Sequence, residues 1–162
     1  MEIGGLNCKF TLQNPPEEYL LAECEHDTKF NIRFAKALPQ LTVDCVTSEK
    51  VSEDVYKVSA VIGNLGYLPT HLTDEAIDLH TAVEVEVSID KEVVEGHAVK
   101  KIGHLSGYSR TATGAIYGNL TTYASAKAKN KVTWIIKAHQ GETVTVSASQ
   151  EKAGSCTATI TL

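Results

Sequence analysis

Residues that can do chemistry are scattered along this sequence, and their spacing is not that of a hydrolase. His104 and Ser106 stand two apart in Gly103-His-Leu-Ser-Gly107, but residues that share one face of a strand do not thereby form a nucleophile and its base. The sequence contains no Gly-x-Ser-x-Gly elbow. Asp74 and Glu75 supply at most half of a calcium site, and an exposed acidic turn explains them better. Serine-hydrolase chemistry is therefore disfavoured.

The cysteines also lack the spacing of a reactive or metal-binding site. There are four, Cys8, Cys24, Cys45 and Cys156, and no two of them form a Cys-x-x-Cys pair. Ordinary thiols are the better interpretation, although a bridge between the strands that carry Cys45 and Cys156 stays open. The redox compartment and the localisation of the protein stay open with it.

One segment has the composition of a binding surface. Residues 103–129 are rich in Gly, Ser, Thr and Ala and carry three tyrosines and an arginine, namely Tyr108, Arg110, Tyr117 and Tyr123. Aromatic rings bury a large area at a small entropic cost, so these side chains can form a stacking platform for a sugar or a peptide. Tyrosines that merely cover the edge of a sheet are the competing interpretation.

The sequence pattern changes from helical to strand periodicity at Pro39, and the elements on either side must position the residues discussed above. Before it, Asn14-Pro-Pro-Glu17 has the pattern of a helix start with Asn14 as cap, and an apolar stripe predicts a helix over about 15–37. After it, alternating apolar and polar residues predict strands. The predicted strands cover 41–46, 55–62, 82–89, 93–99, 131–137, 143–147 and 156–162. We therefore predict a mainly β fold, an antiparallel fibronectin- or immunoglobulin-like β-sandwich of about seven strands, preceded by one α-helix.

The stretch Asn64-Leu-Gly-Tyr-Leu-Pro-Thr70 must turn the chain sharply after a strand. Gly66 permits a positive φ, and Pro69 offers no N–H to a sheet. Tyr67 and Leu68 are too apolar for a free loop, so they are predicted to plug one end of the sandwich.

Length and charge limit the function classes. A chain of 162 residues fits one domain or one domain with an appendage. Its net charge of −5 and its scattered lysines and arginines argue against nucleic-acid binding. No apolar run is long enough to span a membrane, and the first residues lack the regions of a signal peptide.

Six short motifs in order resemble the C-terminal part of bacterial zinc carboxypeptidases. They are Glu2-Ile-Gly-Gly5, Asn14-Pro-Pro16, Ala37-Leu-Pro39, Asn64-Leu-Gly-Tyr-Leu-Pro-Thr70, Gly103-His-Leu-Ser-Gly107 and Lys152-Ala-Gly154. The resemblance implies that residues 1–39 are the last strand and helix of a peptidase catalytic domain. It also implies that residues 40–162 are an accessory β-sandwich.

That resemblance assigns a catalytic role to Glu2 alone, as the general base that activates a zinc-bound water in the parent enzyme. The zinc ligands, a His-x-x-Glu pair and a later His, are expected to lie outside this chain. The chain by itself is then expected to hold no metal and to be inactive, with its own peptidase domain as its intramolecular partner. The alternative is a free-standing module that binds carbohydrate or protein through Tyr108, Arg110, Tyr117 and Tyr123.

Overall fold

The computed structural model describes residues 4–5, 8–107 and 128–162. The chain forms two compact units, Met1–Ala37 and Leu38–Leu162. Their boundary falls two residues before Pro39, where the sequence changes from helical to strand periodicity.

In the first unit, a π-helical segment, Cys8–Gln13, precedes helix α1, Glu17–Ala35. The predicted helix is present, but the predicted cap is wrong. The side-chain amide of Asn14 turns back and donates to the carbonyl oxygen of Lys9 (3.1 Å). The N-cap residue is Pro16, and no side chain caps the helix.

Helix α1 buries none of its side chains. Its exposed apolar residues include Leu21, Phe30 and Phe34, and the last two stack with ring centroids 6.4 Å apart. Burying such side chains normally stabilises a helix in water, and the described residues of this unit leave them exposed. Within the described residues, no helix is both long and apolar enough to cross a membrane.

The second unit contains seven strands and one short helix in its described part. In chain order they are β1 Leu41–Ser52, β2 Val55–Asn64, α2 Asp74–Asp78, β3 Glu86–Ile89, β4 Val99–Lys101, β5 Lys129–Lys137, β6 Thr143–Gln150 and β7 Gly154–Thr161. Valine, isoleucine and threonine dominate these strands because branched side chains pack well on a pleated surface.

The strands form two antiparallel sheets. One has the order β1-β2-β5 and the other the order β4-β3-β6-β7. This arrangement groups the first, second and fifth strands, and the third, sixth and seventh, as immunoglobulin-type sandwiches do. The fourth strand lies beside the third. The prediction of a fibronectin- or immunoglobulin-like β-sandwich is confirmed.

The core fills the space between the two sheets. Alternate residues of the central strands point into it, because side chains of a strand alternate between faces. Its fully buried members include Val58, Ile62, Val87, Trp134, Ile136, Val144 and Val146. Trp134, in the middle of β5, is the largest of them.

A β-bulge changes the expected facing of the first strand. The alternation predicted Leu41, Val43 and Cys45 on one inner face, but the register of β1 against β2 shifts between Val43 and Cys45. The additional residue, Asp44, moves Cys45 to the exposed side and Val46 towards the core. Cys45 is therefore not an inward residue.

Two other strand predictions need correction. Alternation over 82–89 predicts that Val83 faces inward, but it is 45% exposed, and the strand itself covers only Glu86–Ile89. The segment 93–99 does not form a continuous strand. Val93 makes a single bridge to Ile136, and β4 begins where this segment ends.

Candidate functional site

One end of the sandwich is closed by side chains that hydrogen-bond backbone groups. Asn64 ends β2 with its side chain buried, and its Oδ1 accepts the N–H groups of Gln40 and Gly66 (both 2.9 Å). Its Nδ2 donates to the carbonyl oxygen of Leu68 (2.8 Å). The side-chain amide of Asn64 thus hydrogen-bonds both to the turn after β2 and to the residue before β1.

The same turn is locked onto the segment after β4. The N–H of Thr70 donates to the carbonyl oxygen of Leu105, and the N–H of Leu105 donates to the Thr70 hydroxyl (both 2.9 Å). Both side chains are almost completely buried. The expectation that Tyr67 and Leu68 plug this end is wrong, since Tyr67 is 57% exposed and Leu68 half-buried. Polar groups and close backbone packing close the sandwich instead.

Gln150 joins a third segment to this end. Its Nε2 donates to the carbonyl oxygens of Thr70 (3.2 Å) and Val83 (3.0 Å). Its Oε1 accepts the N–H groups of Lys152 (2.6 Å) and Ala153 (2.7 Å). All four hydrogen-bonding positions of a buried amide are therefore used.

Gln150→Ala is expected to lower the free energy of unfolding by about 2 kcal/mol, because it leaves buried backbone groups without partners. Ser149→Ala is the matched control, since this neighbour is exposed, and a change within about 0.5 kcal/mol is expected there. Urea denaturation followed by circular dichroism gives both values. Equal losses in the two variants would show that the amide does not hold this end.

A cavity of about 340 Å³ lies beside α2 at the same end. Its lining combines a histidine, threonine hydroxyls and the charged turn between β6 and β7, including His71, Thr73, Thr81, Glu151 and Lys152. The two turn residues pair with each other (2.6 Å). Leu72 and His80, on either side of α2, have positive φ angles of 63° and 54°. The N–H of His80 donates to the carbonyl oxygen of Ile77 in the turn that ends the helix.

The residues predicted to carry function lie outside the described part of the chain. These are Glu2, Tyr108, Arg110, Tyr117 and Tyr123. The structure therefore leaves their roles as predictions. It does show that residues 103–107, assigned to the same excursion by composition, belong to the closed end.

The His-x-x-Glu pair of the zinc ligands was expected to lie outside this chain, but the sequence does hold one such spacing, at His139 and Glu142. Both lie in the turn between β5 and β6. Glu142 binds the ammonium of Lys91 (2.6 Å), and this hydrogen bond lowers the pKa of the carboxyl. His139 Nδ1 lies 2.9 Å from Asp54 Oδ1.

These donors are thus engaged with charged neighbours. Among the described residues, no three His, Cys, Asp or Glu side chains are grouped to hold a metal ion. The described residues of this chain do not fit a catalytic zinc.

Three described cysteines, Cys24, Cys45 and Cys156, are free thiols. Burial raises the pKa of the Cys156 thiol, which favours its protonated and less nucleophilic form. The bridge between Cys45 and Cys156 that the sequence left open is not formed.

Comparison with known proteins gives one family and weak structural likenesses. No curated protein matches the sequence significantly. The CARDB domain of the PF1109 protein in complex with di-metal ions, from Pyrococcus furiosus, is 13% identical, with a TM-score of 0.36 over 76% of this chain and 88% of that one. The Bifidobacterium adolescentis GH3 beta-glucosidase is 13% identical, with a TM-score of 0.31 over 76% of this chain and 17% of that one. A family described as "Domain of unknown function (DUF8731)" matches residues 40–161, and the chain belongs to this family.

Proposed function

We propose that residues 40–162 form a non-catalytic accessory β-sandwich domain of a larger protein with a zinc carboxypeptidase-like catalytic domain. The observation that carries the proposal is helix α1, which buries no side chain and precedes a sandwich with its own core. Exposed leucine and phenylalanine side chains on a helix are expected where a neighbouring domain normally covers them.

The catalytic assignment rests on the resemblance in sequence. In this proposal Glu2 activates the attacking water of the parent enzyme as general base. The zinc would be held by residues of the parent outside this chain, because no three described His, Cys, Asp or Glu side chains are grouped to hold a metal ion, and His139 and Glu142 contact other charged residues.

The sandwich would brace the catalytic domain or help to present its substrate. The closed end supports a mechanical role, because Asn64 and Gln150 tie β1, β2, β6 and the turns between them into one hydrogen-bonded unit. A domain of this kind would hold the catalytic domain or its substrate in place without taking part in the reaction.

The proposal predicts how α1 behaves in the complete natural protein. Amides of Glu17–Ala35 should exchange with solvent at least about tenfold more slowly there than in the 162-residue chain, because the exposed leucine and phenylalanines become covered. Hydrogen exchange measured by mass spectrometry on both proteins tests this, with the amides of Val55–Asn64 as an internal control that should not change.

Equal exchange of the helix in both proteins would contradict the proposal. Reproducible glycan or peptide binding by the chain, lost in Tyr108→Ala and Arg110→Ala, would favour the free-standing binding module in its place.

A further inference from the structure

Two histidines meet at the closed end of the sandwich. His71 lies in the turn between β2 and α2, and His104 lies in the segment after β4. Their ring centroids are 5.3 Å apart and the rings are inclined by 70°. Each histidine is next in sequence to a residue of the Thr70–Leu105 hydrogen-bonded pair, so the backbone fixes the two rings against each other.

Both imidazoles have one nitrogen shielded from water. The Nδ1 atoms of His71 and His104 are buried and have no hydrogen-bond partner among the described residues. The Nε2 of His71 lies 3.2 Å from Asp74 Oδ1, and its side chain is 9% exposed. A proton on that Nε2 donates to Asp74 and leaves Nδ1 as a bare lone pair.

A neutral ring tolerates this environment better than a charged one. A charged His104 ring would carry an N–H group at its buried Nδ1, where no acceptor among the described residues reaches it, which is costly for a buried donor. If both rings were charged, two positive charges would also face each other across the ring contact.

The charged groups around the two histidines only partly offset the cost of protonating a ring. Asp74 from α2 faces His71, and Glu84 from the segment before β3 acts on His104. Glu151 and Lys152, from the turn between β6 and β7, line the same cavity as His71 and neutralise each other as an ion pair. Burial, and then the charge of His71, lower the pKa of His104, while Glu84 raises it to a smaller extent.

We propose that His71 and His104 form a pH-sensitive clasp that holds residues 67–72 against residues 103–107 near neutral pH and releases them on acidification, while the two sheets stay folded. The contact between the segments is close, because a Cβ added at Gly107 would lie 2.3 Å from the Tyr67 carbonyl oxygen. A small separation therefore breaks the packing and the Thr70–Leu105 pair together.

The direction follows from proton binding. The closed form binds fewer protons than the open form between the ordinary imidazole value of 6.5 and the lower pKa of closed His104. The closed form is thus most stable above about pH 6.5 and loses stability as the pH falls through this window. The opening constant rises about tenfold for each unit by which the closed-form pKa lies below the ordinary value.

Hydrogen exchange of the Thr70 and Leu105 amides tests the clasp. After correction for intrinsic exchange, their protection is expected to fall by at least about threefold between pH 7.5 and pH 5.0. Amides in the centres of β2 and β6 should keep their protection. His104→Gln should abolish the pH dependence at Thr70 and Leu105, and His97→Gln, at an exposed histidine, should preserve it.

Three results would overturn the proposal. They are an equal loss of protection in the sheets, a pH dependence that survives in His104→Gln, and one that disappears in His97→Gln. If His104→Gln does not fold, titration of the imidazole resonances in the unmodified protein decides the question. A midpoint for His104 below that of His97 supports the clasp, and equal midpoints contradict it.

Discussion

Trp134→Ala is expected to lower the free energy of unfolding by about 3–5 kcal/mol, because it removes the largest fully buried side chain of the sandwich. Trp134 pairs with Val58 across β5 and β2, and the ammonium of Lys100 lies 5.6 Å from the centre of its ring. Since it is the only tryptophan, unfolding must be followed by far-UV circular dichroism instead of fluorescence.

Two further variants show how much of the stability loss in Trp134→Ala comes from the buried aromatic ring. Trp134→Phe keeps an aromatic ring and removes the indole N–H, which has no partner among the described residues, so its loss should be clearly smaller. Val99→Ala, at a half-exposed valine of β4, should change the stability by less than about 1 kcal/mol. A Trp134→Ala loss no larger than that of Val99→Ala would contradict the assignment of Trp134 to the core.

Gly66→Ala is expected to cost about 3 kcal/mol or to prevent folding, because the added methyl group meets rigid backbone. Its Cβ would lie 2.2 Å from the carbonyl oxygen of Leu38 and 2.5 Å from the Cα of Pro39. Gly66 does not adopt the positive φ that glycine permits, so close approach of the backbone is the requirement here.

Gly141→Ala distinguishes the effect of a positive φ from the effect of close backbone approach. Gly141 has a φ of 87° and open space around its missing Cβ, so only backbone strain of about 1–2 kcal/mol is expected. Thermal and urea unfolding of both variants give the comparison. A larger loss for Gly141→Ala than for Gly66→Ala would show that the turn after Asn64 can move away from Pro39.

The sheets could be predicted from the sequence because their signal is local. Val85, Val87 and Ile89 alternate with polar residues, and such alternation alone identifies a half-buried strand. The exposure of Cys45 could not be predicted, because the local sequence pattern contains no sign of the bulge at Asp44. The bulge arises from the pairing of β1 with β2.

The closed end was only partly predictable, although one signal was present. Asn64 follows the inward row of Ala60 and Ile62, and Gln150 follows the inward row of Val146 and Ala148. A polar residue at the next inward-facing position of a strand is buried, and buried polar groups are normally hydrogen-bonded. Its partners come from segments far apart in sequence, so only the fold identifies them.

Zinc-dependent release of C-terminal amino acids from peptides, measured on the 162-residue chain and on the longer protein that is expected to contain it, is the most direct test of the proposed non-catalytic role. No release above the buffer blank is expected for the chain. For the longer protein the proposal predicts turnover that a chelator abolishes, with a further His-x-x-Glu upstream of Glu2. Turnover by the chain alone, or a complete protein that lacks both the motif and the activity, would contradict it.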